Sequence, residues 1–320
     1  MKITLDISKL LADGKISQQE FDRLVTLSTK DTASLAFNVL IAFGVLAISG
    51  GLLALFQSPS TSMLLGVGIG SLGLALGLMS PARWNILAAV CTLVGALCLG
   101  SGIVLSAKGS SFSFLLVAFI FSAAGVAARS GLLVSLAILA GSSSLGVRTG
   151  YDFASYFLGV EVPGITVVVF TGVAIATFLV SKVIPPDFSR LAIIAARTSV
   201  FMVNFGFWVG SLWGDPYSAL WGNPYSSEGR ALSETVFIVG WAVALLASGI
   251  WGALRNLRWV VNAAAVFGAI HLYTQWFERL GATPGAVVIA GLVAIAGALA
   301  LWQVNNRAWG AQVKRTAERT

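Results

Sequence analysis

The side chains best placed to do chemistry in this sequence are polar groups inside long apolar segments. Four of them recur every seven residues through one such segment: Arg190, Arg197, Asn204 and Ser211. On a helix this spacing drifts by only about 20° per step, so the four share one stripe. An ionisable side chain there faces a bundle interior or a water-filled cavity, or Arg197 extends back to the headgroups. Asn204 is too short for that, and either hydrogen-bonds across helices or lines a polar pathway.

A second polar set lies in a later apolar segment, which also contains Asn262. His271 is the only histidine of the chain, and it shares a helix face with Gln275 and Glu278 at spacings of four and seven. Imidazole exchanges protons near neutral pH, and Glu278 would be its charge partner. The alternative is that His271 is a hydrogen-bonded packing residue.

A short aromatic sequence occurs twice: Trp-Gly-Asp-Pro-Tyr-Ser at 213–218 and Trp-Gly-Asn-Pro-Tyr-Ser at 221–226. Pro and Gly make both copies turns, and Trp and Tyr favour the membrane interface. The turns form either an interfacial belt or an aromatic binding face for a sugar, a lipid headgroup or a cation. The candidate binding residues here are Trp213, Asp215, Tyr217, Trp221 and Tyr225. A second large outer loop is expected at 148–164.

No motif of a known catalytic centre is present, because the sequence lacks H-E-x-x-H, a P-loop, G-x-S-x-G and C-x-x-C. Cys91 and Cys98 lie in a stripe of small residues with Ala88, Gly95 and Gly102, which is typical of close helix packing in lipid. We therefore expect no metal and no cofactor. No Asp or Glu lies in the middle of an apolar segment, which argues against a proton antiporter driven by a carboxylate.

The elements that must position these residues are membrane helices. Hydrophobic residues make up 57% of the 320 and charged residues 10%, whereas a soluble domain carries about 25% charged residues. A spanning helix needs roughly 20 apolar residues. Ten segments meet this requirement, the fifth being the shortest: 34–56, 62–79, 84–105, 112–128, 132–147, 165–184, 191–213, 235–254, 259–277 and 285–304.

The distribution of Lys and Arg predicts the topology. With the N-terminus inside, fifteen of these residues fall in inside segments and four outside, and Arg197 in a span completes the twenty. This asymmetry predicts ten spans with both termini in the cytoplasm of a bacterium, crossing the inner membrane. The net charge of +7 is then a topology signal, so we expect no nucleic-acid partner.

Residues 1–32 are predicted to form a helical hairpin on the cytoplasmic face. Asp13-Gly14 ends the first helix, and Ser17 with Glu20 has the spacing of a capping box. The segment resembles short helical modules (Leu-x-x-Leu…Gly-x-Ile-Ser…Glu-Phe) at the ends of many bacterial proteins, which are taken to mediate oligomerisation or docking. The whole layout resembles a family of uncharacterised bacterial multi-pass inner-membrane proteins, a resemblance that implies no activity.

The predicted fold class is all-α: a polytopic transmembrane helix bundle with a small N-terminal hairpin. It divides into a cytoplasmic hairpin at 1–32, a membrane bundle at 33–305 and a basic tail at 306–320. The first functional hypothesis is a transporter-like or small-molecule-binding bundle with a polar path along the seventh and ninth spans. The second is a non-catalytic scaffold or sensor that docks a protein partner at 1–32, and the third is an outer-face transferase using His271 and Glu278. The bilayer is the expected partner, and a homo-oligomer is compatible with this layout.

Overall fold

The computed structural model describes residues 7–55, 57–79, 84–152, 155–215, 232–281, 283–292, 295, 296 and 299. Within these residues ten helices, α1 to α10, and one two-stranded hairpin form, and residues 284–292 are also helical. The helices are α1 Ile7–Ala12, α2 Gln18–Leu55, α3 Pro59–Met79, α4 Asn85–Ser106, α5 Ser111–Ala127, α6 Gly131–Ser144, α7 Pro163–Val180, α8 Pro186–Trp213, α9 Glu234–Leu254 and α10 Arg258–Leu280. The strands are β1 Val147–Asp152 and β2 Ser155–Val160.

Five helices are long and apolar enough to cross a membrane by length and composition, namely α3, α4, α7, α8 and α9. Shorter apolar helices occur at Phe43–Leu55, Ser111–Ala127 and Gly131–Ser144. Helix α10 is long enough, but its polar side chains keep it outside this set. Of the expected tenth span, residues 285–292, 295, 296 and 299 are described and are helical, and the rest lies outside the described residues. The helical membrane class is therefore confirmed, whereas the count of ten spans is not.

The N-terminal capping box forms as predicted. The Ser17 backbone N–H donates to Oε2 of Glu20 at 2.8 Å, and the Glu20 N–H donates to Oγ of Ser17 at 3.3 Å. Two hydrogen bonds lower the pKa of Glu20 by stabilising its carboxylate. The larger contribution comes from the Ser17 backbone N–H and the smaller from the Ser17 hydroxyl. Gly14, at φ 65°, ends the preceding helix.

Helix α2 does not stop where the hairpin was expected to end. It runs without interruption from Gln18 to Leu55, across the predicted boundary at 32/33. The polar residues from Ser28 to Thr32 change the polarity of the chain, but they include no Gly or Pro that would break a helix. The second helix of the predicted hairpin is thus continuous with the first apolar segment.

The outer loop expected at 148–164 contains a β-hairpin that the all-α prediction did not include. Its strands are antiparallel, with Val147 opposite Val160 and Asp152 opposite Ser155. Thr, Tyr, Phe, Leu and Val in these strands suit a pleated ribbon better than a helix. The fold is helical apart from this hairpin.

The structure divides into two compact units, 1–144 with 178–195 and 145–177 with 196–320. In the first unit, α3 and α4 pack through small residues. A Cβ at Gly95 would overlap the backbone nitrogen of Gly70, and one at Gly66 would overlap the backbone nitrogen of Leu99. Cys91 and Cys98 are both buried in this interface, which confirms their prediction as packing residues. Beside them, Oγ of Ser62 donates to the carbonyl of Cys98 at 2.6 Å.

Helices α5 and α6 complete the core of the first unit. Five buried residues form its centre: Ala96, Val117, Phe121, Leu133 and Ala137. The second unit is built around the C-terminal half of α8, which carries Asn204 and Ser211 of the polar stripe.

Candidate functional site

The C-terminal half of α8 has close neighbours on three helices of the second unit. A Cβ at Gly206 would lie 3.3 Å from Cγ2 of Thr166 on α7, and one at Gly210 would overlap the Phe237 ring of α9. On the α10 side, the rings of Phe201 and Phe267 have centroids 6.0 Å apart. Of the polar stripe residues, Asn204 and Ser211 in this half of α8 are buried, whereas Arg197 is exposed.

Asn204 is the centre of this enclosed region, and 8% of its surface is exposed. Its Nδ2 donates to the carbonyl of Val200 at 2.8 Å. Its Oδ1 accepts a hydrogen bond from Nε1 of the fully buried Trp241, at 2.9 Å. Asn204 thus joins α8 to α9, as one of its two sequence interpretations required.

His271 packs against Trp241. The two ring centroids are 4.8 Å apart with an edge-to-face angle of 70°. Nearby, Nε1 of Trp208 donates to Oγ1 of Thr274 at 3.1 Å, which joins α8 to α10. We define the polar core of the second unit as Asn204, Trp208, Trp241, His271 and Thr274.

Nδ1 of His271 is buried and, within the part of the chain that the structure describes, has no hydrogen-bond partner. A neutral imidazole has one nitrogen that accepts and one that donates. A buried nitrogen without a partner costs about 1–3 kcal/mol, so a polar group is expected to occupy this position. Sequence reasoning singled out His271 but paired it with Glu278.

That pair does not form. Among the described residues His271 and Glu278 make no ion pair; Glu278 is exposed near the end of α10, about 10 Å further along the axis. Gln275 is partly buried, and Asn262 is exposed near the start of the helix. The arrangement provides no carboxylate to assist His271 as a base.

Arg197 is exposed, and its Cζ lies 5.3 Å from the ring centroid of Trp259. This is the geometry of a cation–π contact at the start of α10. Ser211, also in the stripe, is buried and donates to the carbonyl of Trp208 at 2.8 Å. The stripe therefore contains an exposed arginine, a bridging amide and a hydroxyl that bonds to its own helix.

Asp215, in the first aromatic turn, is held by hydrogen bonds to two other parts of the fold. It is 3% exposed, and its Oδ2 accepts from the backbone N–H of Gly164 at 2.9 Å, in the first turn of α7. Its own N–H donates to the carbonyl of Leu232 at 3.0 Å. Trp213 is exposed. Tyr217, Trp221 and Tyr225 lie outside the described residues.

Sequence reasoning missed Trp208, Trp241 and Thr274. A signal for Trp241 was available, because a tryptophan inside an apolar helix needs a partner for its indole N–H. Thr274 gave no such signal, since a threonine can bond to its own helix.

The long apolar helices and the enclosed polar core define the class of the protein as a multi-pass helical membrane protein. Comparison with protein families, curated proteins and solved structures finds no match for the chain. In the described residues, no three His, Cys, Asp or Glu side chains are grouped closely enough to hold a metal ion.

Proposed function

We propose that this protein is a bacterial inner-membrane protein that binds a small polar molecule in the polar core, as the binding site of a transporter-like bundle. The observation that carries the proposal is the buried Nδ1 of His271, which has no partner in the described chain; the His271 ring packs against Trp241, whose indole N–H donates to Asn204. A donor group of a ligand would restore the missing hydrogen bond. None of the five side chains of the polar core is a carboxylate, which favours a neutral ligand over a cation.

Helix directions support the proposed crossing pattern. Helix α8 is antiparallel to α9, since Asn204 contacts Trp241 and Gly210 meets Phe237. It is parallel to α10, because Arg197 contacts Trp259 near the start of α10 and Trp208 contacts Thr274 further along both helices. Alternation of successive spans requires both relations, and it accords with N- and C-termini on the cytoplasmic side.

The test is labelling of a cysteine at the proposed site by a membrane-impermeant thiol reagent, in right-side-out and inside-out vesicles. The background carries Cys91→Ser and Cys98→Ser. His271→Cys is expected to react from one side. Leu272→Cys is the matched control. Leu272 follows His271 in the chain, its side chain is exposed on the helix surface, and it would face lipid at the same depth.

Labelling of His271→Cys alone supports a water-filled site. Protection of both positions would contradict the binding proposal and favour the scaffold. One observation already supports that second candidate: the continuous α2 gives a rigid connection between a partner docked at 1–32 and the membrane helices. A transferase is not proposed, because its His271–Glu278 pair does not form.

A further inference from the structure

Three exposed basic side chains lie at one end of the first unit: Arg129 in the α5–α6 turn, Lys182 in the α7–α8 loop and Arg190 in the second turn of α8. We propose that this basic patch, consisting of Arg129, Lys182 and Arg190, binds the headgroup of an anionic phospholipid. The patch lies in the first unit, and the polar core lies in the second. Either proposal can therefore fail without the other.

Arg129 is held in place by contacts with the first turn of α8. Its Nη1 lies 3.1 Å from Oδ2 of Asp187, and its Cζ lies 5.8 Å from the ring centroid of Phe188. Both side chains of the ion pair remain about two thirds exposed. An exposed pair contributes little to stability, but it holds the guanidinium against the first turn of α8, the helix that also carries Arg190.

Lys182 lies in the α7–α8 loop, and Arg190 lies in the second turn of α8. Oγ of Ser189 donates to the carbonyl of Ser181 at 2.8 Å, so the backbone positions next to both basic residues are close together. Nζ of Lys182 lies 4.7 Å from the ring centroid of Phe178. Both basic side chains are exposed. Asp187 balances one of the three positive charges, which leaves a net charge of about two for a bound anion.

The surroundings favour a lipid over a free phosphate ion. Val183 is 82% exposed and Leu179 is 60% exposed, and both adjoin Lys182 in the chain. Apolar side chains directly beside cations at the end of a membrane helix suit acyl chains below a charged headgroup. Basic pockets between helix ends are a recognised form of anionic lipid site.

The test is a titration of the full chain in mild detergent with phosphatidylglycerol, phosphatidylcholine or glycerol phosphate, with bound lipid counted by native mass spectrometry. The wild-type chain is expected to bind phosphatidylglycerol more tightly than phosphatidylcholine. The double variant Lys182→Gln/Arg190→Gln is expected to lose about fivefold in phosphatidylglycerol affinity for each charge removed. Arg255→Gln, at an exposed helix end of the other unit, should retain wild-type affinity.

The conservative variant Lys182→Arg/Arg190→Lys keeps the charges and should keep the affinity, which separates charge loss from misfolding. Equal affinity for the two phospholipids would overturn the proposal, as would an equal loss in Arg255→Gln. Binding of glycerol phosphate as strong as that of phosphatidylglycerol would also overturn it, because the site would then accept a soluble anion.

Discussion

At the scale of single residues, Asp215 shows how a candidate ligand-binding carboxylate can serve the fold. Its Oδ2 accepts from the Gly164 N–H in the first turn of α7. We expect Asp215→Ala to reduce stability by about 1–2 kcal/mol, because this N–H loses its acceptor. Asp215→Asn, whose amide oxygen accepts the same bond, should lose less. Thermal unfolding in detergent measures both, and an Ala variant as stable as wild type would contradict the assignment.

The Asn204–Trp241 hydrogen bond predicts energetic coupling between the two residues. Asn204→Leu leaves a buried indole N–H unpaired, and Trp241→Phe leaves the amide oxygen unpaired, so each single change should destabilise by about 1–3 kcal/mol. The double variant leaves neither and should cost less than the sum. A double-mutant cycle is expected to give a coupling of about 0.6–1.7 kcal/mol. Additive effects would mean that the bond contributes nothing.

The polar core was predictable only in part from the sequence. The seven-residue spacing placed Asn204 on one stripe, and the length of its side chain limited it to bonding across helices or lining a path. Its partner, Trp241, is 37 residues away in the chain, and nothing local specifies such a pair. His271 was singled out by its type, but helical spacing favoured Glu278 as its partner and could not account for a tryptophan from another helix.

At the scale of elements, two glycines of α3 provide a matched comparison. A Cβ at Gly73 would overlap the backbone nitrogen of Thr92 and lie 2.9 Å from the carbonyl oxygen of Ala88, whereas one at Gly68 meets nothing within 4 Å. Since backbone atoms cannot rotate away, we expect Gly73→Ala to destabilise by about 1–3 kcal/mol. Gly68→Ala should be neutral or stabilising by up to about 1 kcal/mol. Equal effects in a thermal unfolding assay would contradict the close packing of α3 on α4.

Three helices end in the same way, with a non-glycine residue in the left-handed region: Lys108 at φ 52°, Arg129 at 49° and Asn256 at 55°. At the first of these, Gly109 N–H bonds to the carbonyl of Val104 at 2.9 Å, which is the long bond of a Schellman motif. Lys108→Gly should stabilise the chain by about 1 kcal/mol, since glycine adopts this conformation without strain. Lys108→Ala, which removes the charge but keeps the strain, is the control and should not stabilise in the unfolding assay.

The sequence predicted helices better than it predicted their ends or exceptions. Small-residue spacing predicted the buried face of α4 because the spacing is local and the packing requirement is strong. The continuity of α2 was missed because a change of polarity at Ser28–Thr32 resembles a domain boundary although it does not break a helix. The β-hairpin was missed because its residues lie between two apolar segments, where a loop was the simpler expectation.

At the scale of the whole molecule, α10 is one helix that could raise the number of crossings above the five apolar helices. It has 23 residues, about 35 Å, which is enough for a hydrocarbon core of about 30 Å. Its polar side chains lower its hydropathy, yet several have partners inside the protein. Thr274 accepts from Trp208, and the Tyr273 hydroxyl donates to the carbonyl of Ala290 at 2.9 Å. A helix whose polar groups are paired with other helices can cross without being uniformly apolar.

We therefore expect α10 to cross the membrane in parallel with α8. The prediction is tested with Arg255→Cys and Glu278→Cys, both exposed near opposite ends of α10, in the background that lacks the two native cysteines. An impermeant maleimide should label position 255 only from the cytoplasmic side and position 278 only from the outer side. Labelling of both from one side would mean that α10 returns to that side or lies along the surface. The polar core could then not line a path through the membrane, because α10, which supplies His271 and Thr274, would not cross it.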